Sequence, residues 1–175
     1  MIQIGKYIEI AIQWLTENFA PFFDAVNSGI GGGIDVFNQA LLWIPFYLFI
    51  ILFTVLAWFK AGKGTAILTF FGLFLIYGMG FWTETMQTLA LVLSSTSIAL
   101  ILGVPLGILT ARNPKISKVM RPVLDLMQTM PAFVYLIPAV LFFGLGTVPG
   151  VFATIIFAMP PVVRLTGLGI RQVPK

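Results

Sequence analysis

The sequence predicts an all-α, polytopic helical membrane protein: about five transmembrane helices preceded by an interfacial amphipathic helix. Three observations carry this expectation. Hydrophobic residues make up 59% of the chain and charged residues only 9%, whereas ordinary soluble domains carry about 25% charged residues. The apolar residues collect into stretches of roughly the 20 residues that a bilayer crossing needs. The ten Lys and Arg stand at the ends of those stretches, as topology signals do, and form no basic stripe for a nucleic acid.

Taken in order, Ile4, Ile8, Ala11, Ile12, Leu15 and Phe19 recur on one helical face, with Lys6, Glu9, Gln13 and Glu17 opposite. This pattern suits a helix lying on the membrane; packing against other protein is the alternative. A secretory signal does not fit, because Glu9 and Glu17 interrupt the apolar run and no small-residue cleavage site follows. Gly29 and Gly31 to Gly33 predict a flexible break, and residues 35–43 a second short amphipathic piece. Residues 1–42 thus read as an extracytoplasmic or interfacial segment. Pro45 suits the first turn of a helix, where its missing N–H does no harm.

The first span is predicted over residues 43–59, closed by Lys60 and Lys63, and the second over 65–81, ended by Trp82 and Glu84. Together they make an N-terminal pair over 43–83. The third covers 86–111, closed by a loop carrying Arg112, Lys115, Lys118 and Arg121. The fourth covers 124–143, and residues 144–150 read as a tight turn. The fifth covers 151–163, closed by Arg164 and followed by Arg171 and Lys175. Trp43, Trp58 and Trp82 lie near span ends, as interfacial anchors do; a cage for a cationic ligand is the less favoured alternative.

Placing the Lys60/Lys63 loop in the cytoplasm puts nine of the ten Lys and Arg inside and leaves only Lys6 outside. Glu9, Glu17, Asp24, Asp35 and Glu84 all fall outside. The expected topology is an external N-terminus and a cytoplasmic C-terminal segment.

Composition also restricts the chemistry. With no Cys and no His, the chain has no thiol chemistry and lacks the commonest metal ligand and general base, so no metal site is expected. No nucleophile elbow, carboxylate pair or Walker-type loop is present, which argues against an intramembrane hydrolase or an ATP site. What remains is helix packing and a pathway. Ser94, Ser95 and Ser97 form a small polar patch in the third span. Gly103 and Gly107 bracket Pro105 at the spacing that lets helix backbones approach. In the fourth span Pro131 and Pro138 each free a backbone carbonyl. Gln128, Thr129, Phe133 and Tyr135 beside them are candidates for lining a substrate pathway; mutual satisfaction between helices is the alternative.

Six segments are found in family-like order and spacing: Thr88-Leu-Ala-Leu-Val-Leu93, Gly103-Val-Pro-Leu-Gly107, residues 125–136, Val148-Pro-Gly150, Ile155-Ile-Phe-Ala-Met-Pro-Pro161 and residues 169–174. From about Glu84 onward the chain therefore resembles the membrane subunits of binding-protein-dependent ABC importers. Within them it is most similar to the glycine betaine/proline betaine (osmoprotectant) permeases. The resemblance implies a type I importer permease-like core over residues 84–175, represented here by three spans. It also implies a homodimeric pore in the cell membrane, with a betaine-binding protein docked outside. Cytoplasmic ABC ATPase subunits would hydrolyse ATP with Mg, this chain itself binding no cofactor. Arg164, Arg171, Gln172 and Lys175 would form the cytoplasmic segment facing the ATPase. The Glu-Ala-Ala…Gly coupling helix of such permeases is expected just beyond Lys175, so residues 1–175 alone are expected not to couple transport to ATP hydrolysis. The competing expectations are a permease for choline or another small amino-acid-like solute, and a non-transporting truncated paralogue or assembly partner.

Overall fold

The structure, a computed structural model, describes residues 4–173, and among these it contains eight α-helices and no strand. The side chains of Ile4, Lys6, Ile8, Glu9 and Ala11, all part of the predicted amphipathic pattern, lie outside the described residues, as does Lys175. The helices are α1 (Ile4–Asn18), α2 (Ala20–Trp43), α3 (Phe46–Ala61), α4 (Lys63–Gly78), α5 (Trp82–Arg112), α6 (Pro114–Thr129), α7 (Phe133–Phe143) and α8 (Thr147–Gln172). α5 and α8 are each long and apolar enough to cross a membrane. Two bent pairs also qualify, α2 with α3 at 86° and α6 with α7 at 90°, and α4 is a shorter apolar helix.

The chain divides into two compact units, one of residues 33–91 and the other of residues 92–175 with the first 32. In the first, α3 and α4 form a helical hairpin. Gly62 makes its turn at φ +91°, a conformation L side chains rarely adopt, and its N–H bonds to the Trp58 carbonyl at 3.1 Å. Both helices are apolar all round, and Ile51, Leu52, Val55, Leu56, Leu68 and Phe71 remain exposed. A helix of this kind is stable where lipid meets it, not water. Trp82, read above as the end of the second span, instead opens α5. It packs edge-on against Phe49 at 5.5 Å beside the stacked Phe46/Tyr77 pair. Trp43 and Trp58 stay exposed, as an interfacial belt requires.

In the second unit, Phe23 on α2 stacks on Phe142 of α7 at 5.0 Å, and a Cβ at Gly31 would meet Val148 of α8 at 3.5 Å. The start of α2 is thus fastened to protein. Of the described residues on the predicted apolar face of α1, Ile12 is half-buried while Leu15 and Phe19 stay uncovered by protein.

Four sequence expectations are corrected here. Gly29 and Gly31 to Gly33 do not break the chain, since α2 runs through them. Each glycine costs about 1 kcal/mol in a helix interior, a cost that packing of α2 on its neighbours, such as Phe23 on Phe142, helps to offset. The 112–121 loop is largely the first half of α6, started by Asn113, whose Oδ1 accepts from Lys115 N at 2.9 Å and Ile116 N at 3.4 Å. The 144–150 turn is confined to residues 144–146, with Gly144 at φ +76° and Gly146 at φ +157°. Pro149 lies in the first turn of α8, where N–H groups lack helical partners anyway. The fifth span does not close at Arg164, because α8 continues two turns further to Gln172.

Candidate functional site

The fourth predicted span is not one helix but two, α6 and α7, meeting at 90°. The cause lies in Met130-Pro131: a residue before proline is pushed out of the α region, and Met130 is extended at φ −74° and ψ 137°. The break leaves carbonyls without helical partners. Tyr135 answers this from the first turn of α7, its hydroxyl lying 3.0 Å from the Met130 oxygen and 3.2 Å from that of Met127. The side chain therefore pins the knee between the two helices.

The residues proposed above for a pathway cluster about this knee. Gln128 and Thr129 end α6, Pro131 makes the corner, and Phe133 and Tyr135 begin α7, with Pro138 one turn further on. Gln128, Thr129, Pro131 and Phe133 are exposed, whereas Tyr135 and Pro138 are half-buried.

α6 is amphipathic, with Ser117 and Leu124 buried and Met120 and Met127 half-buried along one face. At its C-terminal end Asp125 forms an ion pair with Arg164 of α8, and the same guanidinium donates to Gln128 Oε1. Arginine's rigid planar fork suits such a two-partner contact. Sequence reading left Asp125 alone near a span end and assigned Arg164 to span closure, so this contact across 39 positions was missed. Asp125 and Gln128 stand at i and i+3, the spacing that puts two side chains on one helix face; that was the available signal.

α8 crosses α5 at short range. A Cβ on Gly103 would stand 2.7 Å from Val162 Cγ1, and one on Gly107 2.6 Å from Thr166 Cβ and 2.9 Å from the Val163 carbonyl oxygen. Of the serine patch, Ser95 is buried and Ser94 half-buried, while Ser97 is exposed and donates back to Leu93 O at 2.8 Å. One turn below Gly107, Arg171 donates to the Thr110 carbonyl at 2.9 Å and to Ser117 Oγ at 3.4 Å, joining α8 to α5 and α6. Gln172 is exposed. Between Arg164 and Arg171 a groove of about 170 Å³ opens, also lined by Arg121 of α6. The polar atoms of this region fasten helices to one another.

Residues 103–175 match the family described as the binding-protein-dependent transport system inner membrane component. The chain is 45% identical to the glycine betaine transport system permease protein of Bacillus subtilis over 99% of its own length and 61% of that protein's. It is 45% identical to the glycine betaine/proline betaine transport system permease protein of Escherichia coli, over 99% of this chain and 49% of the other. To the glycine betaine/carnitine transport permease protein of Listeria monocytogenes it is 49% identical, over 98% and 62% respectively. The chain thus spans between about half and three fifths of the length of these relatives. With its long apolar helices, it is a multi-pass membrane protein.

Proposed function

Because the chain belongs to the family of binding-protein-dependent transport system inner membrane components, we propose that it is the membrane-spanning permease subunit of an ABC importer for glycine betaine and proline betaine, serving osmoprotection. The observation that carries this reading is identity of 45% to 49%, sustained along nearly the whole chain, to three bacterial permeases whose names share glycine betaine. The pairing of Asp125 with Arg164 supports it. A zwitterion carries no net charge, so its passage calls for no unpaired ion within the spans.

In this reading the knee at Met130-Pro131, with Gln128, Thr129, Phe133, Tyr135 and Pro138, shapes the pathway. The crossing at Gly103 and Gly107 is the close-packed seam beside it. The permease works as a homodimer beneath an extracytoplasmic betaine-binding protein. A separate cytoplasmic ATPase binds and hydrolyses ATP with Mg, and this chain contributes neither cofactor site nor catalysis. The N-terminus faces outward. Arg164, Arg171, Gln172 and Lys175 lie toward the ATPase, as the distribution of basic residues favours.

The test is uptake of radiolabelled glycine betaine at high osmolarity. The host lacks its own betaine uptake and expresses the full-length protein with its ATPase and binding protein. Uptake that unlabelled proline betaine suppresses is expected. Transport of choline with no betaine uptake would refute the assignment.

A further inference from the structure

The groove between α5, α6 and α8 carries more positive charge than the helix contacts use. Arg164 is neutralised by Asp125. Arg171 is held in place only by neutral oxygens, those of Thr110 and Ser117, and Arg121 makes no hydrogen bond or ion pair among the described residues. Among the described residues no Asp or Glu lines the groove. Two guanidinium groups thus face one small space without a counter-ion, one of them fixed in orientation. Guanidinium is the side chain best matched to phosphate oxygens, which it can grip with two parallel N–H donors.

The rest of the lining is apolar: Met120 and Leu124 from α6, Val163 and Leu168 from α8. The groove also lies where α5 and α8 end, at Arg112 and Gln172, so it sits at the depth where spans leave the hydrocarbon and lipid phosphates begin. Basic pockets between membrane helices at that depth suit anionic headgroups. A soluble phosphate would use the arginines but not the apolar wall, whereas a phospholipid uses both.

The geometry points to a binding site for one anionic phospholipid, its phosphate held by Arg121 and Arg171 and its glycerol and upper acyl carbons laid against Met120, Leu124 and Leu168. The site stands whatever solute the protein carries. Arg171 bonded to Thr110 and Ser117 is the preformed half, and Arg121, an exposed side chain at the groove's edge, closes onto the lipid.

The experiment uses the full-length protein in its complex, in nanodiscs of phosphatidylglycerol and phosphatidylcholine in equal amounts, with native mass spectrometry counting the lipids retained after release. Retention of phosphatidylglycerol over phosphatidylcholine is expected. Arg121→Gln and Arg171→Gln should each weaken it about fivefold, the effect of one basic contact near a membrane surface, and Arg171→Lys, which keeps the charge but loses the fork, should fall between Arg171→Gln and the unsubstituted protein. Among the described residues Arg121 makes no hydrogen bond or ion pair, so R121Q tests the site with little disturbance to the fold. Unchanged retention in both Gln variants would overturn the proposal. So would displacement of the lipid by inorganic phosphate, which assigns the groove to a soluble anion. Loss of the ATPase subunit from R121Q with lipid retention intact would likewise overturn it, and mark the groove as a protein-docking surface.

Discussion

Gly107 offers the sharpest test of how α5 meets α8. In Gly107→Ala the new Cβ would stand 2.6 Å from Thr166 Cβ and 2.9 Å from both Thr166 Cγ2 and the Val163 carbonyl oxygen. Carbon atoms rest about 3.5–4.0 Å apart, so the helices must part by about 1 Å. Neither a Cβ nor a backbone oxygen can rotate away. Overpacking of this kind costs about 1–3 kcal/mol, more than the helix propensity alanine gains. At the wild-type midpoint of a detergent-denaturant titration, followed by intrinsic tryptophan fluorescence, the folded-to-unfolded ratio should fall about fivefold to 150-fold. Gly103→Ala differs in kind, because its closest neighbour is Val162 Cγ1 at 2.7 Å, with Val162 Cβ at 3.1 Å. Adding Val162→Ala removes the Cγ1 clash and should restore most of the stability of G103A. Adding Thr166→Ala should not rescue G107A, since the Thr166 Cβ and the Val163 oxygen both remain. Gly72→Ala, with nothing within 4 Å, is the control that carries only the propensity gain of about 1 kcal/mol. If G107A proves as stable as G72A, the close crossing of α5 and α8 is wrong.

Three further predictions address the knee and its supports. Pro131→Ala removes the constraint on Met130 and should let α6 and α7 straighten. Spin labels at Lys118 and Leu141 should then move from about 23 Å toward about 35 Å apart, at 1.5 Å rise per residue, and an unchanged distance in double electron–electron resonance would show that the bend does not come from the proline. The Asp125–Arg164 pair is largely exposed, at 65% and 43% of its side chains. A double-mutant cycle with D125N and R164Q should therefore give a stability coupling of at most about 1 kcal/mol, and a value several times larger would place the pair in a far drier setting. Asn113→Ala should loosen the first turn of α6 by about 1 kcal/mol, seen as faster hydrogen exchange at Lys115 and Ile116; equal exchange rates in N113A would show that the cap contributes nothing.

The sequence by itself determined that the protein is helical and lies in a membrane. Apolar stretches with charges only at their ends have no other stable state, since lipid forbids unsatisfied backbone. It also determined where helices occur, as α3, α4 and α5 show, because hydropathy is a local property. The meaning of each proline was not local. Pro105, Pro122, Pro138 and Pro160 all remain inside helices, yet Pro131 ends one. The difference is made by partners that periodicity cannot reveal: the Tyr135 hydroxyl accepted by the freed Met127 and Met130 carbonyls, and Arg164 holding the end of α6 from 36 to 39 positions away. Tertiary structure alone decided the 90° knee, because a broken helix is stable only where something else satisfies its carbonyls. It decided likewise which arginines are spent on contacts and which are left facing the groove, because a charge is neutralised by what lies near it in space, whatever its distance along the chain.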